Sequence, residues 1–148
     1  MKSIRIVFRF KMVGGQAQTS SSIGRHSELL AQVALTANGW TVLIPDGVEP
    51  FDLAITRKGD ATIKRIQIKT ILKRHKAGNE WFVIRGKKNS GEVYTAEDCD
   101  AFIGVYDSCV YMTPNRGISE YWSAVDEVET KWTRLYTTLD SYDNAPTL

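Results

Sequence analysis

The sequence predicts one domain of the α/β (α+β) class, with a mixed central sheet flanked by helices. Its 148 residues include 43% hydrophobic and 24% charged side chains, enough to bury a core without disulfide bonds. Apolar residues alternate over several short runs, as in strands, and recur at intervals of three and four over one long run, as in a helix. The resulting order is a strand, a helix, three or four strands, a short helix and two strands, which indicates a mixed fold.

The chain begins with an amphipathic segment. Apolar and basic side chains alternate over residues 4–12, which predicts a strand with a basic outer face. This strand is either at the edge of the sheet, which we favour, or an arm that contacts DNA or a second subunit. Residues 13–19 are rich in Gly and Gln and predict a flexible linker.

A helix is predicted next. It begins with a serine N-cap within residues 20–22 and runs to about Asn38, and Gly39 is the left-handed residue that ends it. The apolar line of this helix comprises Leu29, Val33 and Ala37. Glu28 lies near the edge of that line, where a glutamate is normally solvated unless it has partners from another element.

Two short strands between residues 50 and 70 form a predicted hairpin, with a turn at Lys58-Gly59-Asp60. Because side chains alternate along a strand, Asp52 lies on one face of the first strand, and Gln67 and Lys69 share one face of the second. The side chains that alternate with them onto the opposite face are apolar: Leu53, Ile55, Ile66 and Ile68. An acid, an amide and an ammonium group can therefore gather on the polar side of the hairpin.

Other strands are predicted from shorter patterns. Residues 40–44 form a strand that ends at Pro45, and residues 80–86 form another. Residues 101–106 are expected to be buried and to pair with residues 109–112 as a hairpin.

The remaining segments are predicted as loops or helices. Residues 72–78 and 87–91 are basic loops or turns that could flank one substrate groove. Residues 95–98 begin a brief helix with an acid at its third position. A spacing of three, three and four predicts a C-terminal helix through Trp122, Val125, Val128 and Trp132.

Charge is unevenly distributed along the chain. Residues 57–88 carry eleven Lys and Arg against two Asp and Glu, whereas residues 89–148 carry three against eleven. A concentrated basic block suits a surface that binds a polyanion, and it equally suits a solvated pair of strands. Cys99 and Cys109 lack metal-type spacing and are expected to pack in the core. No signal peptide or apolar span is visible, so we expect a cytoplasmic, intracellular protein without membrane contact.

The polar side of the predicted hairpin suits phosphodiester hydrolysis. That reaction needs a divalent cation, an attacking water and neutralisation of the charge that develops on phosphorus. Asp52 is the natural principal ligand of Mg²⁺, and the amide oxygen of Gln67 and the backbone carbonyl of Ile68 could add to it. Lys69 could orient the water or stabilise negative charge, and Glu28 could reach in from the helix.

At this point the residues resemble a known family. Asp52 followed by Gln67-Ile68-Lys69 resembles the PD-(D/E)XK nuclease superfamily, with Gln in place of the second acid, and Glu28 matches the helix glutamate of many members. The segments WTVLIP, PFDLAI, IQIKT, YTAEDCDAFIGVYD and VYMTP resemble the small homing endonucleases of group I introns, a subgroup that uses Gln-x-Lys. This resemblance covers about residues 24–114.

The resemblance implies a restriction-endonuclease-like core and a Mg²⁺-dependent endodeoxyribonuclease that cuts double-stranded DNA. It assigns catalytic roles to Glu28, Asp52, Gln67 and Lys69, and metal binding to the first three of these. It also implies a homo-oligomer, a dimer or tetramer, so that both strands are cut. Such a protein would be nucleoid-associated or encoded by a phage. Because Gln is neutral, weaker metal binding or the use of one metal is expected.

Further boundaries and DNA contacts follow from these expectations. Residues 1–19 would be an N-terminal strand and linker, residues 20–114 the nuclease core, and residues 115–148 a C-terminal extension of one domain. Basic residues of the turns and strands are expected to contact phosphates rather than bases: Arg57, Lys58, Lys73, Arg74, Lys76, Lys87 and Lys88.

Alternatives remain at each level. Asp52 could be a turn acid and Lys69 could simply pair with Glu28, while Asp46 or Glu49 could substitute as ligands from a less rigid loop. Neither His26 nor His75 belongs to a His-metal nuclease motif. A Holliday-junction resolvase or a restriction-like nuclease has the same fold. An inactive DNA-binding module or a purely structural partner domain are further candidates.

Overall fold

The computed structural model of the chain describes residues 18–139. The strand predicted at residues 4–12 and most of the predicted linker lie outside these residues. Two helices, α1 and α2, and nine strands, β1 to β9, are formed in the described part. The helices and the first five strands are α1 Ser20–Ala37, α2 Val128–Lys131, β1 Thr41–Leu43, β2 Leu53–Thr56, β3 Lys64–Thr70, β4 Leu72–Lys76 and β5 Asn79–Arg85. The remaining strands are β6 Ala101–Tyr106, β7 Cys109–Pro114, β8 Glu120–Ala124 and β9 Thr133–Leu135. No helix within residues 18–139 has the length and apolar character needed to cross a bilayer.

Helix α1 confirms the long helix of the prediction, with a different cap. The hydroxyl of Thr19, rather than a serine of residues 20–22, accepts a hydrogen bond of 3.1 Å from the backbone N–H of Ser22. At the other end, Asn38 is the C-cap and Gly39 has a φ of +80°, which favours glycine.

The apolar line predicted for α1 is wrong, because the helix turns a neighbouring face to the sheet. Its buried residues are small or follow at helical spacing: Ser27, Ala31, Ala34 and Leu35. Leu29 and Val33 are instead 47% and 50% exposed. Two alanines at the contact let the helix approach the sheet closely, whereas larger side chains would hold it away.

The central sheet has six strands in the order β1-β2-β3-β6-β7-β9 and is mixed, as predicted. Neighbouring strands are antiparallel except for β3 and β6, which are parallel. The predicted hairpin is confirmed as β2 and β3, in which Leu53 lies opposite Ile66. Gly59, in the connecting loop, has a φ of +84°.

The two faces of this sheet are covered differently, and only one of them by a long helix. On one face α1 packs against Leu53, Ile55, Ile66 and Ile68. On the other face lies a second, three-stranded sheet in the order β4-β5-β8, whose Phe82, Ile84 and Tyr121 form a second core with Phe102 of β6. The expected flanking by helices is therefore only half correct. Gly104 marks the contact between the sheets, since an added Cβ would lie 2.6 Å from Cδ1 of Ile84.

The segment predicted as a basic loop at residues 72–78 is mostly strand β4. It pairs with β5 from Leu72 opposite Val83 to Lys76 opposite Asn79, around a two-residue turn. Ala77 and Gly78 occupy this turn with φ values of 52° and 77°, the left-handed geometry of tight hairpins. The four consecutive polar residues 73–76 hid the strand because the outer side of a small sheet tolerates charge.

Two predicted helices are also wrong. The predicted brief helix at residues 95–98 is a turn, in which the Asp98 carboxylate accepts hydrogen bonds from the N–H and hydroxyl of Thr95 at 2.8 and 3.1 Å. The predicted C-terminal helix is divided among β8, a 3₁₀ turn at Val125–Glu127 and the four-residue α2. In β8 the alternating residues Tyr121 and Ser123 are both fully buried. That period of two outweighs the apolar spacing of three and four.

Candidate active site

The β2–β3 hairpin brings Asp52 beside β3. Its backbone N–H donates to the carbonyl of Ile66 at 2.9 Å, and its Oδ2 accepts a hydrogen bond of 2.7 Å from the N–H of Ile68. The carboxylate thus continues the strand pairing at the point where β2 begins. Gln67 and Lys69 alternate with the buried Ile66 and Ile68, so they lie on the face of β3 away from α1.

The Lys69 side chain is half-buried and held by two groups. Its Nζ lies 3.2 Å from the carbonyl oxygen of Lys87 and 3.4 Å from the hydroxyl of Tyr94. The same Nζ lies 4.9 Å from the centre of the Tyr94 ring, within cation–π range. Burial lowers the pKa of Lys69; the charge of Asp52 opposes this and that of Arg85 adds to it.

Electrostatic contacts connect all four predicted catalytic residues. Burial raises the pKa of Asp52, the hydrogen bond from Ile68 opposes this, and the charge of Glu28 raises it further. Lys69 and a hydrogen bond from Gln67 lower it. Glu28 comes from α1 and lies at the rim, where its carboxylate is 43% exposed and lies 3.3 Å from Nη1 of Arg25. The alternative in which Lys69 simply pairs with Glu28 is therefore not what the structure shows.

These groups fit a hard divalent cation. Asp52 and Glu28 supply carboxylate oxygens and Gln67 supplies an amide oxygen, and Mg²⁺ prefers such ligands while keeping several waters. The two carboxylates also disfavour each other's ionised form, as the raised pKa of Asp52 shows, and a cation between them would offset that repulsion. Within residues 18–139 no group of three or more His, Cys, Asp or Glu is suited to a metal, since one ligand here is a glutamine.

The other predicted candidates lie elsewhere. Asp46 and Glu49 are exposed in the loop between β1 and β2. His75 is exposed on β4, and His26 lines a separate cavity of about 290 Å³ with Asp107. A larger cavity of about 470 Å³ on the outer side of α1 is lined mainly by apolar side chains and has no charged group suited to catalysis.

The predicted DNA contacts divide into neutralised and open cations. Three of them form ion pairs: Lys73 with Glu80 at 2.9 Å, Arg74 with Glu120 at 3.3 Å and Lys88 with Asp98 at 3.0 Å.

Two of the remaining basic residues lie against tryptophan rings. Arg57 stacks 3.8 Å from the Trp40 ring and donates to the carbonyl of Asn38. Lys76 lies 5.5 Å from the ring of Trp122. Lys58 is exposed in the hairpin turn.

Lys87 lines a cavity of about 300 Å³ directly beside Lys69. Arg85, at the end of β5, lines the same cavity and was not among the sequence-predicted residues. Its only sequence signal is its place between a buried strand and a basic turn. Tyr94 was likewise missed as a contact of Lys69, because 25 residues separate the two positions.

Comparisons with known proteins agree with this geometry. The family model described as PD-(D/E)XK endonuclease matches residues 18–140. The fold is similar to that of a bacterial homing endonuclease, I-Ssp6803I, with a TM-score of 0.55 and 20% identity over 72% of this chain and 76% of that one. A comparison with the sequences of curated proteins gives no match. The structural similarity supports the predicted restriction-endonuclease-like fold.

Proposed function

Because the chain belongs to the PD-(D/E)XK endonuclease family, we propose that it is a Mg²⁺-dependent enzyme of the homing type that hydrolyses phosphodiester bonds in duplex DNA. The observation that carries this proposal is the convergence of Asp52, Gln67 and Lys69 on one side of the β2–β3 hairpin, within electrostatic reach of Glu28. An acid, an amide and an ammonium group around one point are the groups that phosphodiester hydrolysis needs.

Each side chain has a distinct role in this proposal. Asp52 and Gln67 would hold the cation, with Glu28 completing the set from α1. Mg²⁺ held there would supply Lewis acidity and would lower the pKa of an attacking water. The ammonium of Lys69 has three N–H groups, and its contacts with Lys87 and Tyr94 leave at least one for a phosphate oxygen. Because those contacts fix the ammonium before substrate arrives, little reorganisation is needed as charge develops on the phosphate.

Cutting both strands of a duplex needs two such sites. Residues 18–139 carry one, so we propose that the active form is a homo-oligomer in which two copies each cut one strand. Its concerted action would convert supercoiled plasmid directly to linear product, whereas an isolated copy would accumulate nicked circles.

The test is cleavage of a supercoiled plasmid that contains a target site, in the presence of Mg²⁺. Plasmid libraries and a four-way junction serve as substrates because the target sequence is unknown. We expect Lys69→Ala and Asp52→Asn each to lower the single-turnover rate by about 10²–10³-fold, the range typical of lost electrostatic stabilisation in a transition state. The matched controls Lys131→Ala and Asp60→Asn remove the same charges from α2 and the hairpin turn and are expected to retain the wild-type rate.

The same experiment separates the rival functions. Binding of duplex DNA without cleavage of any substrate in Mg²⁺ or Mn²⁺ would mean a DNA-binding module without catalysis. Preferential cleavage of the four-way junction would mean a resolvase. Neither binding nor cleavage would leave the chain as a structural partner domain.

A further inference from the structure

The cavity beside Lys69 is lined by positive charge that the structure does not neutralise. It lies at the ends of β3 and β5, and its volume is about 300 Å³. The residues that line it are Lys69, Thr70, Leu72, Arg85, Lys87, Lys88 and Asn89. Four of these seven side chains are cations and none is an acid, so the cavity suits an anionic ligand.

Arg85 has a strand neighbour of opposite charge that is engaged elsewhere. Glu120 lies opposite Arg85 in the β5–β8 pairing. The carboxylate of Glu120 instead contacts Nη1 of Arg74 at 3.3 and 3.5 Å, and accepts a hydrogen bond of 2.9 Å from Nε1 of Trp122. Arg85 is thereby left exposed with an uncompensated charge.

The acid nearest to the basic turn is also engaged. Asp98 pairs with Lys88 at 3.0 Å and accepts two hydrogen bonds from Thr95. Among residues 18–139, neither Arg85 nor Lys87 forms an ion pair. The backbone carbonyl of Lys87, in contrast, is fixed by Lys69 at 3.2 Å. The turn that carries the Lys87 side chain is therefore anchored to the site itself.

Like charges that gather without counter-ions destabilise a fold through repulsion, so such a cluster favours an anion at the same place. Flexible, exposed Lys and Arg side chains recognise backbone phosphates without reading the sequence. A volume of about 300 Å³ lies at the lower end of the range for ligand pockets, which suits a backbone group better than a base pair.

We propose that Arg85 and Lys87 form a phosphate subsite that binds a second phosphodiester group of the DNA strand whose scissile phosphate lies at Lys69. This proposal rests on the proposed nuclease function and names how the strand is held there. Arg85 and Lys87 are positioning residues, because they hold a phosphate next to the reacting one and do not touch the reacting atoms.

The test compares Arg85→Gln, Lys87→Gln and the double variant with wild-type protein. The matched control is Lys131→Gln, which removes one positive charge from α2, outside the cavity. Binding to a fluorescent 30-bp duplex is measured by anisotropy in Ca²⁺ at several salt concentrations. Each single substitution is expected to weaken binding on the order of tenfold and to reduce the slope of log K against log salt by about one. The loss should be equal for unrelated sequences, and the control should stay within twofold of wild type.

A second readout distinguishes positioning from a structural effect. Because Arg85 is exposed, its variants should keep the wild-type melting temperature, while the single-turnover rate at saturating DNA falls on the order of tenfold and Arg85→Lys recovers part of it. An unchanged salt slope and rate in Arg85→Gln and Lys87→Gln would overturn the subsite. If the wild type never cuts DNA but the slopes change as expected, the nuclease function fails and the subsite stands. If it cuts and the slopes stay the same, the reverse holds.

Discussion

Replacement of Asp52 by Asn is expected to abolish cleavage and, in the absence of metal, to stabilise the fold. Burial and the nearby Glu28 raise the pKa of Asp52, so the ionised carboxylate is held in an environment that disfavours it. An Asn at this position keeps an oxygen that can accept the 2.7 Å hydrogen bond from the Ile68 N–H. It removes both the desolvated charge and its repulsion.

The expected gain is modest because water still reaches the site. Single stabilising substitutions commonly add about 0.5–2 kcal/mol to the free energy of unfolding. Solvent screening of a partly exposed carboxylate places Asp52→Asn at the low end, about 0.5–1 kcal/mol. For a domain of this size that corresponds to a rise in melting temperature of about 2–3 °C. Mg²⁺ should reverse the order, since a concentration ten times the dissociation constant stabilises only the binding form, by about 1.4 kcal/mol.

The assay is thermal unfolding followed by circular dichroism, with EDTA and then with Mg²⁺, at several pH values. A carboxyl group with a raised pKa in the folded state favours folding more as the pH falls through that pKa, so the gap between the variant and wild type should narrow toward acid pH. Asp60→Asn is the matched control, because hydrogen bonds from Thr62 lower the pKa of Asp60 and its charge is not penalised. If Asp52→Asn melts below wild type in EDTA, the carboxylate is not strained and this reasoning fails.

Three other predictions concern the second core and its contact with the site. An added Cβ in Gly86→Ala would collide with a backbone carbonyl oxygen of the β7–β8 loop, so calorimetry should show a loss of about 2–3 kcal/mol, whereas Gly47→Ala meets no atom within 4 Å and should change little. Burial raises the pKa of Tyr94 to about 12, which keeps its hydroxyl neutral. Tyr94→Phe retains the ring beneath the lysine and should lower kcat about 3–10-fold with KM unchanged, and Tyr94→Ala should lower it further. Burial also raises the pKa of Cys99 to about 11, so a thiol reagent at pH 8 should label Cys109 first and Cys99 only after unfolding.

The sequence was sufficient to predict the β2–β3 hairpin and the residues that face one another across it. A period of two places Gln67 and Lys69 opposite the buried Ile66 and Ile68, and this depends only on strand geometry. The proximity of Asp52 follows from the same geometry once the strands are paired. These features are local, because they need only one turn and one alternation.

Features that depend on distant parts of the chain could not be predicted. Which face of α1 is buried is decided by how closely Ala31 and Ala34 can approach the sheet, and the spacing of larger side chains pointed to the wrong line. Strand β8 exists because it pairs with β5, some forty residues earlier, and its Trp122 matched a helical spacing by coincidence. The ion pairs that neutralise Arg74 and Lys88 likewise join residues that only folding brings together. From sequence, these cations looked the same as Arg85 and Lys87.

The position of β3 explains why this hairpin, rather than a loop, carries the candidate site. Strand β3 lies inside the central sheet, between β2 and β6, and its apolar face is fixed against α1. Its polar face is thereby held in place, and the second sheet adds the carbonyl that holds Lys69 from the other side. Catalytic groups must be held to within about half an ångström, which a packed strand achieves more readily than an exposed loop. Acids such as Asp46 and Glu49 in the β1–β2 loop lack this support, so loss of Asp52 should not be rescued by either of them.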